Sequence, residues 1–171
     1  MEIKDNFLDN KHLAELDNLV GTSFPWYLQK EQIKGANDGC WFSHIVYYKD
    51  VPRSELYNPI IKIFKNYLNY VSLCRINVNL LLRQETPSIS AFHTDFGSEK
   101  MTTATAVATA IYYLNTNNGY TEFEDGTKVD SVENRLVVFP TNTPHRAVGQ
   151  TDVATRIVFN FNFIKRENVT I

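Results

Sequence analysis

Three residues of this 171-residue chain have the types and spacing to hold a metal ion. His93 and Asp95 form an H-x-D pair, and His145 stands well downstream, directly after Pro144. Side chains alternate along a strand, so His93 and Asp95 would project to one side of an extended segment and could reach one ion. Two neutral imidazoles and one carboxylate leave a divalent ion with open positions, the ligand set in which non-haem Fe(II) is held. A structural zinc site would be closed by a fourth ligand, and none is apparent. Arg156 lies further on, at the start of an apolar strand pattern. Its planar fork matches a carboxylate bidentately and keeps its charge when buried.

Each of these residues alone has a plainer reading. An isolated H-x-D is more often a histidine bonded to a nearby acid in a loop. A lone histidine before a strand caps or packs, and a strand-end arginine usually faces water. It is the combination, on strand ends, that points to metal chemistry. His12 and His44 have no carboxylate at ligand spacing and are assigned to structure or surface.

The elements that must position these residues follow from periodicity and punctuation. Asn10 is expected to cap a short helix with Leu13, Leu16, Leu19 and Val20 on one face. Phe24-Pro25-Trp26-Tyr27 breaks it. Asn58-Pro59 reads as an N-cap and first helical position, with a helical period running to about Ser72. Residues 41–48 read as an aromatic strand. From residue 75 the signals are mostly strands: 75–82, 102–114, 120–123, 128–132, 136–139, 147–148 and 156–163. Turns are marked by Asn117-Asn118-Gly119 and Asp125-Gly126. Alternation puts Arg156 on one face with Val158, Asn160 and Asn162. Many short strands with close turns predict a mainly β sandwich or barrel of jelly-roll type, with the N-terminal helices covering one sheet.

Composition sets the outer bounds. The length predicts one domain spanning 1–171, with mixed support over about 1–73 and a β core over about 74–164. Hydrophobic residues make up 43% and charged residues 21%, which is ordinary globular composition. A net charge of −2 gives no general pull toward nucleic acid or anionic membranes. Lys100, Arg83 and Arg146 are too scattered to predict a nucleobase-handling mouth. Cys40 and Cys74 have no metal-type spacing, and a reducing cytoplasm is the simpler setting. No signal-peptide core or apolar span long enough for a membrane is seen, so a soluble cytoplasmic protein is expected.

From about residue 75 to 163 the chain resembles the 2-oxoglutarate- and Fe(II)-dependent dioxygenases, in their prolyl-hydroxylase-like branch. His93-Thr94-Asp95 is similar to the family's H-x-D, and Ile111-Tyr112-Tyr113-Leu114-Asn115 to an I-Y-Y-L-N strand of oxygen-sensing prolyl hydroxylases. Residues 139–145 resemble the segment leading to the distal histidine, and Ala154-Thr155-Arg156 the strand carrying the co-substrate arginine. Phe24-Pro25-Trp26-Tyr27 and residues 115–119 also look like small stand-alone oxygenases of phage type.

The resemblance implies a double-stranded β-helix, related to cupins, with Fe(II) bound by His93, Asp95 and His145. It implies 2-oxoglutarate and O2 as co-substrates, with Arg156 pairing to the distal carboxylate and Tyr113 donating a second hydrogen bond. Asn79, on the strand before the H-x-D, is the expected further polar contact. The family's small hydroxyl residue two positions after the arginine is replaced by Val158. The implied reaction is hydroxylation, coupled to oxidative decarboxylation of 2-oxoglutarate to succinate and CO2. A peptidyl proline is the first substrate candidate, with other peptides, small metabolites or nucleobases as alternatives. A non-oxidative cupin-like binding protein is the rival reading.

Overall fold

Strand β11 (Thr155–Lys165) organises the molecule, pairing antiparallel with β5 (Tyr70–Leu82) on one side and β6 (Val107–Tyr113) on the other. The computed structural model describes residues 1–30, 41–95 and 107–166. In chain order the remaining elements are β1 (Glu2–Lys4), α1 (Asn10–Ser23), β2 (Tyr27–Gln29), β3 (Trp41–Tyr48), β4 (Val51–Pro52), α2 (Tyr57–Phe64), β7 (Tyr120–Phe123), β8 (Lys128–Asp130), β9 (Arg135–Pro140) and β10 (His145–Val148). Among the described residues these make a large sheet of order β1-β9-β6-β11-β5-β3-β2, with β4 on β3, and a small sheet of order β10-β7-β8. Every pairing is antiparallel. The molecule is therefore mainly antiparallel β, a sandwich of jelly-roll type with two helices.

The two faces of the large sheet have different work, and alternation assigns it. Ile76 and Val78 of β5, Ala108, Ala110 and Tyr112 of β6, Leu136 and Val138 of β9, and Phe159, Phe161 and Phe163 of β11 share one apolar face. Leu16 of α1 and Ile60, Ile63 and Phe64 of α2 join it. Phe64 is fully buried and meets Phe161 at 4.6 Å, Tyr112 at 5.2 Å and Phe159 at 5.8 Å between ring centroids. The opposite face carries a smaller cluster of Ile111, Tyr113, Phe123, Val129, Val137, Phe139 and Val158, where the small sheet closes over it.

The helices differ from the sequence expectation at their ends. Asp9, not Asn10, caps α1, its carboxylate accepting from the His12 N–H at 2.8 Å. Helix α2 begins at Tyr57 after Leu56, without a side-chain cap, so Pro59 lies within its first turn. There its missing N–H has no intrahelical partner to lose. The helical period expected to reach Ser72 stops at Phe64, because Tyr70 and Ser72 are taken into β5 opposite Lys165 and Ile164. Strand pairing with a distant segment overrides local periodicity there. Three strands were not anticipated: β1 and β2, each paired with another strand outside its own segment, and the two-residue β4 on β3. Cys74 is a free thiol, and Cys40 lies outside the described residues. Among the described residues, no helix is long and apolar enough to cross a membrane.

Truncating Phe64 leaves a cavity against three aromatic rings. Phe64→Ala should lose about 3–5 kcal/mol of stability, read as a lower denaturation midpoint with an unchanged slope. A loss within about 0.5 kcal/mol, the surface-substitution range, would contradict this packing.

Candidate metal centre

Residues opposite each other on paired strands share a face, so the register writes the inner face of the large sheet as successive rungs. One rung runs Ser43, Asn79, Val158, Tyr113 across β3, β5, β11 and β6. The next runs Ile45, Asn77, Asn160, Ile111, and a third Tyr48, Arg75, Asn162, Thr109. Arg156 lies one step beyond the first rung, opposite Leu81. The alternation expected for β11, with Arg156, Val158, Asn160 and Asn162 together, is what the strand adopts.

The segment before Asp95 is stitched to the small sheet by a bridge between His93 and His145. Their backbones exchange hydrogen bonds at 3.0 and 2.9 Å, and their rings lie 4.7 Å apart. Each imidazole is oriented by its own backbone: Nδ1 of His93 lies 3.2 Å from the Ala91 carbonyl and Nδ1 of His145 3.0 Å from that of Thr143. A carbonyl only accepts, so both Nδ1 atoms carry the proton and each Nε2 keeps the lone pair by which an imidazole ligates a metal. One ligand atom from each of His93, Asp95 and His145 falls within 4.8 Å of the others. Burial lowers the pKa of His145, with the Asp95 carboxylate opposing, which favours the neutral form that ligation needs.

Asp95 has a side chain only 3% exposed and sits over the third rung. Arg75 Nη2 donates to its Oδ1 at 2.5 Å, Thr109 Oγ1 to Oδ2 at 2.6 Å and Asn162 Nδ2 to Oδ2 at 2.9 Å. Asn160 Nδ2 approaches both oxygens, at 3.3 and 3.5 Å. Burial pushes the carboxyl pKa up, but Arg75, His145, Thr109 and Asn162 together outweigh it and hold the group at about 2.

Arg156 is 2% exposed and forms no ion pair among the described residues. Its Nε donates to Ser131 Oγ at 2.7 Å, its Nη2 reaches Thr121 Oγ1 at 3.4 Å, and its guanidinium lies 5.6 Å from the centre of the Tyr113 ring. Burial lowers its pKa, yet a guanidinium stays protonated in a protein. The arginine stem passes so close to Gly119 that a Cβ there would lie 2.9 Å from Arg156 Cδ and 2.8 Å from the Val148 carbonyl. Tyr113 is fully buried and its hydroxyl donates to Thr121 Oγ1 at 2.7 Å. Burial raises its pKa, with Arg156 and Thr121 opposing, so the phenol keeps its proton.

A cavity of about 50 Å³ lies between these groups, lined among others by His93, His145, Asn79, Thr121, Arg156 and Asn160. Arg146 closes one side, paired with Glu122 at 2.7 Å and lying 4.3 Å from the centre of the Phe92 ring. A separate groove of about 810 Å³ runs along Pro25, Tyr27, His44 and Arg53 and includes none of the three potential ligands. His44 is tied to the Pro25 carbonyl at 2.7 Å, and His12 to Asp9 and Tyr67. Lys100 lies outside the described residues.

Sequence reasoning named the potential ligands, Arg156, Tyr113 and Asn79, but not Arg75, Thr109, Thr121 or Ser131 as supports. Asn160 and Asn162 were placed on the correct face without a role. A usable signal existed: a strand buried on both faces should be apolar on both, and β11 instead repeats Asn on one of them.

No family model matches the sequence, and no curated protein matches it. Solved structures do match. A collagen prolyl hydroxylase of Paramecium bursaria Chlorella virus-1, in complex with 2-oxoglutarate, is 14% identical, with a TM-score of 0.56 over 97% of this chain and 96% of that one. A Trichoplax adhaerens prolyl hydroxylase in complex with a hypoxia-inducible-factor peptide fragment is 16% identical, with a TM-score of 0.60 over 96% and 83%. The α-ketoglutarate-dependent carbocyclase SnoK of nogalamycin biosynthesis is 11% identical, with a TM-score of 0.67 over 95% and 78%. The chain has the fold of the 2-oxoglutarate/Fe(II) oxygenases. Its donor set fits Fe(II) and 2-oxoglutarate: two imidazoles protonated at Nδ1, an ionised carboxylate, and a buried cation that forms no ion pair among the described residues.

Because the folded-state pKa of Asp95 is depressed, its contribution to stability is complete above the unfolded value near 4 and is lost as pH falls toward about 2. Metal-free protein should lose stability across that interval, and Asp95→Asn should flatten the loss. Identical pH profiles for the two proteins in acid denaturation would refute the assignment.

Proposed function

We propose that this protein is a 2-oxoglutarate- and Fe(II)-dependent dioxygenase that hydroxylates a prime substrate, with 2-oxoglutarate converted to succinate and CO2. The observation that carries this is Arg156, a buried cation on the floor of a cavity that also holds His93 and His145. A buried charge is costly unless paired, and a distal carboxylate of a bound dicarboxylate would pair it. The whole chain is read as one oxygenase domain whose two facing sheets form a double-stranded β-helix.

In this reading His93 and His145 bind Fe(II) through Nε2 and Asp95 through one carboxylate oxygen. Bound Fe(II), chelated by 2-oxoglutarate, supplies the oxidative chemistry with O2. The protein supplies placement. Arg156 and Tyr113 fix the far end of 2-oxoglutarate, with the Tyr113 hydroxyl turning from Thr121 to the carboxylate. Thr121 and Ser131 hold the guanidinium in plane, Asn79 borders the path, and Val158 offers an apolar floor. The cavity of about 50 Å³ has room for one or two waters at ~30 Å³ each, and Arg146 against the Phe92 ring borders it.

A peptidyl proline is the first substrate to test. Two of the similar structures are prolyl hydroxylases, and one of those holds a peptide fragment. Small molecules are second, given that SnoK is a carbocyclase. Arg146, the one basic side chain lining the cavity besides Arg156 among the described residues, is paired with Glu122, which gives no support to a nucleobase substrate.

The test is anaerobic titration of metal-free protein with Fe(II) and then 2-oxoglutarate, followed by visible absorption. A charge-transfer band should saturate in the native protein. Arg156→Ala should weaken 2-oxoglutarate binding roughly 30-fold or more, the cost of removing one partner of a buried charge pair. Asp95→Ala should abolish turnover. Metal bound at the three residues with no band, or a band indifferent to Arg156→Ala, would favour a non-oxidative metal-binding protein.

A further inference from the structure

Asn160 is 8% exposed and occupies the second rung, between Asn77 and Ile111. The orientation of its amide is fixed by Asp95. Nδ2 lies 3.3 and 3.5 Å from the two carboxylate oxygens, and turning the amide over would set a carbonyl against an anion. Its Oδ1 therefore points away from Asp95. That oxygen is buried and has no hydrogen-bond partner among the described residues. An unmet buried acceptor costs about 1–3 kcal/mol, so a donor is expected beside it. Asn160 lines the cavity shared by His93 and His145, and its volume of about 50 Å³ matches one or two waters of ~30 Å³ each.

We propose that Asn160 Oδ1 accepts a hydrogen bond from a water bound in an open position of the metal held by His93, Asp95 and His145. This rests on the metal-site reading above. One side chain then acts at two points: Nδ2 steadies the ligand carboxylate, and Oδ1 keeps the remaining coordination position filled. Holding that water would keep an otherwise open metal position from O2 while no prime substrate is bound. Asn160 is a positioning residue that suppresses consumption of 2-oxoglutarate in the absence of substrate.

Asn162 provides the control. It also donates to Asp95, at 2.9 Å, but it does not line the cavity. Native protein, Asn160→Val and Asn162→Val are loaded with Co(II) and 2-oxoglutarate, and the visible d–d absorption is recorded. Six-coordinate Co(II) absorbs weakly and five-coordinate Co(II) strongly. The expected result is a severalfold rise for Asn160→Val that exceeds any change in Asn162→Val. With Fe(II) in place of Co(II), substrate-free 2-oxoglutarate consumption should rise severalfold more in Asn160→Val than in Asn162→Val. Asn160→Ala replaces the valine variant if that one does not fold. Equal, weak spectra in all three proteins overturn the proposal, as does an equal rise in both variants, which would trace the effect to a loosened Asp95. Failure of Co(II) to bind, or binding unchanged in Asp95→Ala, overturns the metal-site reading and this proposal with it.

Discussion

A carboxylate buried to 3% exposure is the constraint around which this molecule is arranged. Taking Asp95 out of water is costly unless donors replace the lost solvation. The donors come from three adjacent strands: Arg75 from β5, Thr109 from β6, and Asn160 and Asn162 from β11. Those strands cannot be apolar on their inner face, and they are not. Their outer face carries the aromatic core instead, so the fold separates adhesion on one side of the sheet from chemistry on the other. The network extends further, with Arg75 Nε donating to Asn162 Oδ1 at 2.8 Å and Thr109 meeting Thr141 at 3.1 Å. Asp95 is thus held by side chains that hold one another.

Arg156 poses the complementary problem. Asp95 is a buried anion with an excess of partners, and Arg156 is a buried cation that among the described residues meets only hydroxyls and an aromatic face. Gly119 exists where a side chain would collide with the arginine stem. Backbone space and two hydroxyl groups thus hold near the two histidines a positive charge that has no ion pair among the described residues. Such an arrangement is poorly explained by stability alone, since an apolar residue would pack there at lower electrostatic cost. It is well explained by an anion that arrives from outside.

Much of this was legible in the sequence, because part of the pattern is local. The H-x-D spacing, the alternation through β11 and the strands β3 and β7 depend on neighbours a few residues apart. The supports of the site do not. Arg75 meets Asp95 only because β5 pairs with β11, and Thr109 sat in a run of alternating alanines with no mark of its role. Thr121 and Ser131 look like ordinary residues of a hairpin until Arg156 is placed between them. The same nonlocality misled the reading of α2, whose apolar period continued past Phe64 while strand pairing had already taken over. Strand β1 is a further case: it is specified by β9, far along the chain, and by Asn134, whose amide clasps the backbone of Leu8 at 2.8 Å in both directions.

The most direct test of the account is a crystal structure of the protein grown anaerobically with Mn(II) and 2-oxoglutarate. The account predicts one metal ion ligated by His93 Nε2, His145 Nε2 and an Asp95 oxygen. It predicts the distal carboxylate of 2-oxoglutarate in a two-pronged contact with the Arg156 guanidinium, within hydrogen-bonding distance of about 3 Å. A metal bound elsewhere, or 2-oxoglutarate seated away from Arg156, would contradict it.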